Sequence, residues 1–460
     1  MKKILTLVLS IASMSAWGAQ YYVDPVNGND ANSGLLGYPW RTITHAITVM
    51  TAGDSLQASP GDYTGEGRIT VSQSGVSGNP IYFAGNTSRG YEGTIEKVAG
   101  WNISGNYIDV RGFRVTDLTD DVGMTAMGFY VTGSHCTIMY NEIRGNLWGG
   151  IVLDSSSSAC SVRFNTVWRN GMVGIEFMGQ SHLITDNEIY QTIQHHPCNV
   201  LYATDPNLDA DGFRGFGSGH TLTNNYVHDI VFGAPGYTSG KACTEANVLD
   251  LTIDYNDDPH IDCIQTWNGD GYTGLTNTAV DRLRCEEPYA SNSPNAGPAE
   301  GFEFEDAGGN IQITNSIIHA INVGYISNTP NVRFYENTFV GVASGTGPYY
   351  LGTSNNGIVK DNIFVRYQGG HVVTDGTPTG IVANYNDVWT ASGSAPQTWR
   401  GANDKWMQSP QFVNESSGNY HLQSTSPARD TGTTIGKAYD FELISRPQGG
   451  AYDMGAYEYH

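Results

Sequence analysis

Short apolar stretches, each closing at an asparagine, recur along most of the chain at a nearly constant interval. In each copy a glycine is followed by alternating residues, and about ten residues later a second apolar stretch ends at Asn. Three successive copies are GFYVTGSHCTIMYN (Gly128 to Asn141), GIVLDSSSSACSVRFN (Gly150 to Asn165) and GIEFMGQSHLITDN (Gly174 to Asn187). A period of 22 to 25 residues with short strands and no helices is typical of a parallel β-helix. We therefore predict an all-β parallel β-helix of about 9 to 11 coils.

Side chains alternate in direction along a strand, so the copies predict which residues face the interior. The residue after the leading position, which is glycine in every strong copy except the one that begins at Asp262, is almost always apolar, and this column is predicted to point inward: Phe129, Ile151, Ile175, Phe213, Cys263, Phe302 and Tyr325. The next residue of each copy is predicted to point outward: Tyr130, Val152, Glu176, Arg214, Ile264, Glu303 and Ile326.

The asparagine that closes each copy is predicted to have a structural role. An Asn side chain can hydrogen-bond its own backbone in a tight turn and tolerates a left-handed conformation. Stacked coils would align these side chains as a ladder. The predicted ladder positions are Asn141, Asn165, Asn187, Asn225, Asn277, Asn315, Asn337, Asn362 and Asn386.

The two ends of the chain depart from the repeat. MKK followed by ILTLVLSIASMSA predicts a secretory signal peptide over residues 1–19, and hence a secreted protein. Residues 20–100 are predicted to form an N-terminal cap, with one amphipathic helix (about Thr42 to Met50), and the first coils. The β-helix follows over residues 101–390, and residues 391–460 form a last coil and a cap. No later apolar run of about 18 residues exists, so we expect no membrane span.

Three long insertions interrupt the repeat in consecutive central copies. They occupy residues 188–211, 226–261 and 278–300, and each enters at the same corner of the predicted coil. Loops stacked at one corner form a wall beside the adjacent strands, and binding residues concentrate on such loops. We therefore predict a cleft whose floor includes DADGFRGF (Asp209 to Phe216) and NDDPHIDCIQTW (Asn256 to Trp267).

The charge balance limits the possible partners. The chain has 23 basic and 45 acidic residues, and a formal net charge of −22 at pH 7. This charge opposes binding to nucleic acids or to an anionic membrane surface. A polyanionic substrate would need a local cation. We expect a monomer.

Acidic residues concentrate on the three coils beside the insertions. Equivalent residues of neighbouring coils lie about 4.8 Å apart, so these carboxylates repel one another unless a cation binds or a proton is shared. Hard oxygen ligands suit Ca²⁺, which takes about 6 to 8 oxygens. The predicted cofactor is therefore Ca²⁺, and its predicted ligands are Asp209, Asp211, Asp257, Asp258 and Asp262.

Two basic residues near these acids are candidate catalytic bases. Arg214 belongs to the outward column, and His260 follows a proline shortly before Asp262. Each has a structural alternative, because Arg214 could pair with Glu176 one coil below and His260 could be a turn histidine. The predicted catalytic residues are Arg214, His260, Asp262 and Glu303, and the predicted substrate-binding residues are Gln265, Trp267, Glu300 and Glu305.

The sequence also leaves open a structural role for other candidates. Trp267, Tyr272 and Tyr289 could stack on sugar rings or pack within the loop wall. Glu303 and Glu305 flank the inward Phe304, and both could be solvated strand residues.

Six cysteines in a chain predicted to be secreted make disulfides possible. Cys136 and Cys160 each lie five residues before a repeat asparagine, so stacked coils would make them neighbours, either as a disulfide or as two internal thiols. Cys198 and Cys243 fall in insertions and could pair. Cys263 stands at an apolar position and is predicted to be a buried thiol.

Both ends of the chain resemble secreted right-handed parallel β-helix proteins that act on carbohydrates. YYVDPVNGNDANSGLLGYPWRTITHAI with AGDSLQASPGDY is similar to the N-terminal cap of such enzymes, among them the family 9 polysaccharide lyases. FVNESSGNYHLQSTSPARDTG with DMGAYEY is similar to the end of many bacterial β-helix proteins. The resemblance implies a right-handed β-helix, and it is shared by lyases, glycoside hydrolases and proteins without known activity.

A shorter resemblance concerns the predicted site. DADGF (Asp209 to Phe213), followed one coil later by an Asp-rich segment, is similar to the calcium-binding coils of the family 9 lyases. The catalytic base of that family is a lysine, whereas the repeat columns of these three coils contain no Lys and Lys241 falls in a loop. Arginine is the base in other β-helix pectate lyases, and Arg214 is the nearest basic residue on the strand face.

Three functions follow from these observations. The first is a polysaccharide lyase, in which Ca²⁺ neutralises the carboxylate of a uronate and a base removes the adjacent proton. The second is a glycoside hydrolase that uses two of Asp211, Asp262, Glu300 and Glu303. The third is a non-catalytic carbohydrate-binding or adhesive protein, and the clustered insertions count against it.

Overall fold

The computed structural model describes residues 18–85, 96–117, 127–193, 209–229, 244–249, 261–287, 299–341, 349–350, 355–365, 379–389 and 400–460. Regular structure in these residues is almost entirely β. Two short α-helices, α1 (Ile43–Val49) and α2 (Glu245–Val248), accompany 3-10 turns at Thr64–Glu66 and Glu415–Ser417.

The strands are short, with two to seven residues each, and they follow one another with few helices between them. The first are β1 (Gln20–Val23), β2 (Ser55–Ala58), β3 (Gly61–Asp62), β4 (Arg68–Val71), β5 (Ile81–Ala84), β6 (Glu96–Val98), β7 (Gly100–Ile103), β8 (Ile108–Arg111), β9 (Arg114–Val115), β10 (Met127–Val131), β11 (Thr137–Met139) and β12 (Glu142–Arg144). The central strands are β13 (Gly149–Leu153), β14 (Ser161–Arg163), β15 (Thr166–Trp168), β16 (Val173–Phe177), β17 (Leu183–Thr185), β18 (Glu188–Tyr190), β19 (Asp211–Gly215), β20 (Thr221–Thr223), β21 (Tyr226–His228), β22 (Ile261–Trp267), β23 (Ala279–Asp281), β24 (Arg284–Glu287) and β25 (Ala299–Glu305). The last are β26 (Gln312–Thr314), β27 (Ile317–Ala320), β28 (Gly324–Ser327), β29 (Arg333–Tyr335), β30 (Thr338–Gly341), β31 (Tyr349–Tyr350), β32 (Ile358–Lys360), β33 (Ile363–Val365), β34 (Val382–Asn384), β35 (Asp387–Trp389), β36 (Lys405–Trp406), β37 (Phe412–Asn414) and β38 (Asn419–Leu422).

Three long parallel sheets take one strand in turn from each coil, which makes a right-handed parallel β-helix, as predicted. Sheet I has the order β1-β2-β5-β8-β11-β14-β17-β20-β23-β26-β29-β32-β34. Sheet II has the order β4-β7-β10-β13-β16-β19-β22-β25-β28-β31. Sheet III has the order β3-β6-β9-β12-β15-β18-β21-β24-β27-β30-β33-β35-β36, and β37 and β38 form an antiparallel pair. Sheets I and III each have 13 strands, more than the predicted number of coils, because strands from residues 20–100 belong to the same stack.

The core is a stack of apolar side chains held in register. In sheet II the pairing joins Trp101, Phe129, Ile151, Ile175, Phe213, Ile264 and Phe302, all of them buried. The predictions for Cys263 and Tyr325 as members of this column are wrong by one residue. Ile264 is the residue that aligns with Phe213, and Ile326 is buried while Tyr325 pairs with Glu303. Tyr325 and Gln265 therefore face outward.

The asparagine ladder forms at the predicted corner. The side-chain amide of Asn141 donates to Oδ1 of Asn165 (3.2 Å), and Asn165 donates in the same way to Asn187 (3.0 Å). A second run joins Asn337 and Asn362 (2.9 Å). The left-handed backbone belongs to the residue before each ladder asparagine, as at Tyr140 (φ 56°), and not to the asparagine itself. This residue turns the chain, while the asparagine side chain satisfies buried backbone groups.

Two predicted ladder positions are wrong. Pairing of Thr223 with Asp281 places Leu283 in line with Asn225, and Leu283 is followed in the ladder by Ser316. Asn277 lies at an earlier turn, where it accepts a hydrogen bond from Asn310 (2.7 Å), and Asn315 is the left-handed residue before Ser316. In this part of the chain, the asparagines that match the repeat motif in the sequence therefore lie at positions of the coil other than the ladder position.

Helix α1 covers the first strands of the stack, as the amphipathic pattern predicts. Thr42 caps it by accepting a hydrogen bond from the backbone N–H of His45 (3.1 Å). Ile43, Ala46 and Ile47 are buried in the main core, and the helix contacts β1 and β4. Edge strands that would otherwise expose apolar surface are covered at this end.

The C-terminal segment packs along the side of the solenoid. Strand β36 extends sheet III, but residues 412–460 then lie against the outer face of that sheet, where Tyr420 and Met454 form a second core with Ile317 and Ile363. The sequence predicts a last coil and a cap over residues 391–460, and hydrogen bonds to Asn315, Thr338 and Asp361 join the end of this segment to coils already formed.

Two acids are buried beneath this C-terminal segment. Asp361 and Glu336 are both 0% exposed, and Oδ1 of Asp361 accepts a hydrogen bond from the backbone N–H of Thr433 (2.8 Å). Burial raises the pKa of Asp361 from 3.8 to about 8 and that of Glu336 from 4.5 to about 7. A raised pKa in the folded state stabilises the protein at low pH, and this stabilisation is lost as the pH rises through the folded-state value.

Asp361→Asn should therefore gain melting temperature relative to the natural chain as the pH is raised from about 4 to about 8. The amide keeps an oxygen for Thr433 and removes the charge that burial penalises. Calorimetry at both pH values measures the difference. Asp270→Asn, at an exposed position with the same left-handed backbone, is the control and should show no such trend. Equal pH slopes for both variants would contradict the prediction.

Candidate active site

Long polar side chains converge on the outer face of sheet II at strands β16, β19, β22 and β25. One outward row holds Glu176, Arg214, Gln265, Glu303 and Tyr325 in register. A second row lies three residues earlier in each strand and holds Asp211, Asp262 and Glu300. The two positions between the rows face the core, so residues on both sides of them point to the same surface.

Three carboxylates from two neighbouring coils form the centre of this surface. One oxygen each of Asp262, Glu300 and Glu303 lies within 4.8 Å of the other two. Asp262 is 0% exposed, and within the described chain neither of its carboxylate oxygens has a hydrogen-bond partner. Burial raises the pKa of Asp262 well above 3.8, and the nearby carboxylates of Glu303 and Asp211 raise it further. We call Asp262, Glu300 and Glu303 the acid cluster.

The acid cluster fits a hard divalent cation. A buried carboxylate without a hydrogen-bond donor is costly unless it is protonated or coordinates a metal. Three carboxylates supply six oxygens, which is the lower end of the range of about 6 to 8 that Ca²⁺ prefers. Asp262, Glu300 and Glu303 could therefore hold Ca²⁺, with substrate or water oxygens completing the shell.

Arg214 is fixed beside the acid cluster by other acids. Its Nε donates to Oδ2 of Asp211 (2.5 Å), and its Nη2 lies 3.7 Å from Oδ2 of Asp209. Burial lowers the pKa of Arg214, but the carboxylates of Asp211, Asp209 and Glu176 outweigh burial and raise it overall. The guanidinium therefore stays protonated, which opposes the predicted role of base. Glu176 is in register with Arg214 and acts on it electrostatically, but the hydrogen-bonded partner is Asp211.

Gln265 lies between the acid cluster and Asp209, one of the acids beside Arg214. Its side-chain amide nitrogen donates to Oε2 of Glu303 (3.1 Å) and lies 3.4 Å from Oδ2 of Asp209. An amide can donate two hydrogen bonds and is not charged, so it orients both carboxylates without changing the charge of the site. Gln265 is 8% exposed. The corrected register explains why this residue, rather than Ile264, lies next to Arg214.

An aromatic surface continues from Arg214 along the strands. The Arg214 guanidinium carbon lies 5.9 Å from the ring centre of Trp267, a half-buried residue. Trp267 packs edge-on against Phe216 (4.7 Å between ring centres), and Tyr272 stacks on Phe216 (4.4 Å). Glu305 is half-buried in register with Trp267, one position beyond the acid cluster. Phe216 was not among the predicted site residues.

A disulfide lies directly behind the site, and the prediction of a free thiol at Cys263 is wrong. Cys263 bonds Cys285, with 6.1 Å between their Cα atoms. In the preceding coil these two positions are Gly212 and Val227, where a Cβ at Gly212 would lie 2.6 Å from Val227. The disulfide therefore occupies the place that a glycine–valine contact occupies in the preceding coil. With the correct register of β22, the sequence would have indicated this pairing of the two cysteines. Cys136 and Cys160 are free and buried, which selects the thiol alternative.

The predicted Ca²⁺ ligands lie in different places in the structure. Asp262 belongs to the acid cluster, but it is joined there by Glu300 and Glu303, which were predicted for other roles. Asp209 and Asp211 lie beside the cluster and pair with Arg214. Three further predicted site residues, Asp257, Asp258 and His260, lie outside the described residues, as do Cys198, Cys243 and Tyr289.

The predicted loop wall also lies largely outside the described residues. Within the second insertion the structure describes α2, whose Glu245 pairs with Lys97 (3.0 Å) and with Arg144 of sheet III. That part of the insertion thus contacts earlier coils. Along the described chain, no helix is long and apolar enough to cross a membrane.

Comparisons with known proteins agree with this fold. The family described as Protein of unknown function (DUF1565) matches residues 26–238, and the family described as Right handed beta helix region matches residues 291–412. The chain is 32% identical over 144 residues to the uncharacterized protein YwoF of Bacillus subtilis (strain 168), which covers 28% of this chain and 29% of that protein. It is 29% identical over 164 residues to pectate lyase L of Dickeya chrysanthemi, which covers 33% of this chain and 37% of that protein. The matches thus span about a third of the length of these two relatives.

The crystal structure of pectate lyase Pel9A is similar over nearly the whole length. The superposition covers 96% of both chains, with a TM-score of 0.53 and 18% sequence identity. The molecule is therefore a right-handed parallel β-helix, and its resemblance to a pectate lyase of family 9 is confirmed for the fold. The sequence identity of 18% shows similarity of fold, whereas function depends on the residues of the site.

Proposed function

We propose that the chain is a secreted polysaccharide lyase that cleaves a uronate-containing polysaccharide by Ca²⁺-assisted β-elimination. The observation that carries the proposal is the acid cluster, in which the buried Asp262 has two carboxylate oxygens without a hydrogen-bond donor in the described chain. The pectate lyase-like fold supports it. The predicted signal peptide supports secretion.

The residues of the site are suited to different roles in this reaction. When bound at the acid cluster, Ca²⁺ would neutralise the carboxylate of the uronate and make the proton on C5 more acidic. Arg214 is held as a cation by Asp211, so it is suited to bind a substrate carboxylate or hydroxyl rather than to accept a proton. Gln265 holds Glu303 in place.

The proton on C5 needs a base in this reaction. As it leaves, a double bond forms between C4 and C5, the bond from C4 to the glycosidic oxygen breaks, and that oxygen takes up a proton. Because Arg214 stays charged, the base of the proposal is His260, which directly precedes Ile261 of β22 in the chain. A histidine has an ordinary pKa of about 6.5 and accepts protons at neutral pH.

Hydrolysis is the second candidate, and the raised pKa of Asp262 favours it, because a protonated carboxyl can act as a general acid. Hydrolases use two carboxyl groups about 5–5.5 or 6.5–9.5 Å apart. Here three carboxylates have oxygens within 4.8 Å of one another, and this crowding fits a cation better.

The test is to incubate the chelator-treated protein with pectate, alginate and other uronate polysaccharides, with and without Ca²⁺. We expect the ultraviolet absorbance of unsaturated uronate ends to appear only with Ca²⁺, and His260→Ala to remove it. Reducing ends without that absorbance would establish the hydrolase instead. Binding of polysaccharide without any new ends would indicate a non-catalytic protein.

A further inference from the structure

A cavity of about 340 Å³ opens on the same face, where β13, β16 and β19 end. It is lined by the residues that follow these strands in three successive coils, together with the loop after β22. Sites for small molecules have volumes of about 300–1,000 Å³, so this cavity is large enough for a small ligand. The residues to which the proposed function assigns a role do not line this cavity.

The lining of the cavity combines apolar surface with uncharged polar groups. Among the described residues that form it, none carries an acidic or basic side chain. Hydrogen-bonding groups and one aromatic face come from Ser155, Gln180, Ser218, Tyr272, Thr273 and Thr276. Hydroxyls and amides both donate and accept hydrogen bonds, and an aromatic ring offers an apolar face. This combination matches a sugar ring, which has hydroxyl groups at its edge and C–H groups on its faces.

The aromatic side of the cavity is held rigidly. Tyr272 lies in a tight turn, where its N–H donates to the carbonyl of Gly269 (2.8 Å), and its ring stacks on Phe216. Gly217 anchors the same loop, because its N–H donates to Thr273 (2.8 Å) and its carbonyl accepts from Thr276 (2.8 Å). A preformed wall loses little conformational entropy when a ligand binds.

The cavity lies further along the strands than Arg214, with Trp267 between them. Phe216 follows Arg214 by two residues, so the cavity begins roughly 7 Å further along the strand direction. Trp267 lies between them, in contact with Arg214 on one side and with Phe216 on the other. A polysaccharide bound along the strand direction would reach both places.

We propose that this cavity is a subsite for a neutral sugar unit, so that the substrate is a heteropolysaccharide containing both uronate and neutral residues. The substrate assignment rests on the proposed function, whereas the binding of a neutral sugar can be tested without it. A uronate is a poor ligand here, because its carboxylate would lose water without gaining a cation from the described lining. Arg214, the nearby cation, is already paired with Asp211.

The first test is direct binding. Methyl glycosides of xylose, galactose, glucose, mannose and rhamnose, and of galacturonate, are offered separately, and contact is measured by saturation-transfer NMR. We expect at least one neutral glycoside to bind and the galacturonate to bind more weakly at this cavity. Ser155→Trp fills the cavity and should weaken that binding by about tenfold or more. Ser156→Trp is the matched control, because it places the same ring at an exposed neighbour that does not line the cavity.

Two further variants distinguish failure of the proposed subsite from failure of the proposed function. Tyr272→Ala removes the aromatic face and should also weaken binding, even if Ser155→Trp fails to fold. Asp262→Asn changes the acid cluster and should leave neutral-sugar binding intact. If no neutral glycoside binds, or if Ser155→Trp and Tyr272→Ala bind as the natural chain does, the subsite is wrong even when the protein is an active lyase. If binding is lost in these variants but no cleavage occurs, the subsite stands and the proposed function fails.

Discussion

Asp262→Asn should abolish the response of the protein to Ca²⁺ and lower turnover of a uronate polysaccharide on the order of 100-fold. The substitution keeps the shape of the side chain and removes the charge that faces Glu300 and Glu303. Calorimetric titration of chelator-treated protein measures binding, and initial rates at saturating Ca²⁺ measure turnover. Asp306→Asn, an exposed acid of the coil that carries Glu300 and Glu303, is the control and should leave both unchanged.

The same substitution should act on stability in the opposite direction. Without a cation, Asp262 is a buried carboxyl next to other acids, so removing its charge relieves repulsion. We therefore expect Asp262→Asn to melt at or above the temperature of the metal-free natural chain. The natural chain should gain melting temperature when Ca²⁺ is added, because a ligand that binds only the folded state stabilises it. If Ca²⁺ stabilises the variant as much as the natural chain, Asp262 is not a ligand.

Arg214→Lys should lose most of the turnover. The guanidinium donates through Nε to Asp211, and its Nη2 lies near Asp209; in the proposed function its remaining N–H groups bind the substrate. An ammonium is a compact point charge and cannot reproduce this planar geometry. We expect kcat/KM to fall by about tenfold to 100-fold, a loss of about 1.4 to 2.8 kcal/mol. Arg111→Lys is a matched control, because Arg111 pairs with Asp109 on sheet I, away from the site.

The stability of Arg214 variants distinguishes a role of Arg214 in substrate binding from a role in the fold alone. Arg214 is 6% exposed and Asp211 is 0% exposed, so their ion pair is buried. Arg214→Met leaves Asp211 buried without its partner, which costs about 3–5 kcal/mol for a buried pair. The double variant Arg214→Met with Asp211→Asn should recover much of that stability but not the turnover. Recovery of both would show that Arg214 serves the fold alone.

Much of the fold could be predicted because its signal is periodic. Each coil must bury an apolar side chain at the same place, so Phe129, Ile151, Ile175 and Phe213 repeat along the chain and identify the β-helix. Helix α1 was equally clear, since Thr42 caps an amphipathic segment. The acidic character of the central coils also pointed to the strands on which the acid cluster lies.

The register of β22 could not be read in the same way. A one-residue shift moves every side chain to the other face, and the long insertion before β22 removes the spacing that would fix it. Only the pairing with β19 shows that Cys263 replaces a glycine, that Ile264 is internal and that Gln265 lies beside Arg214. The disulfide to Cys285 follows from this placement.

The composition of the site was likewise decided in three dimensions. The sequence by itself determined a parallel β-helix with an acidic face, because periodic burial and charge are local properties of each coil. Which acids meet depends on how coils stack, and stacking joined Asp262 to Glu300 and Glu303 while it paired Asp211 with Arg214. It also placed Arg214 in a buried position among carboxylates that raise its pKa, which favours the charged form of the guanidinium.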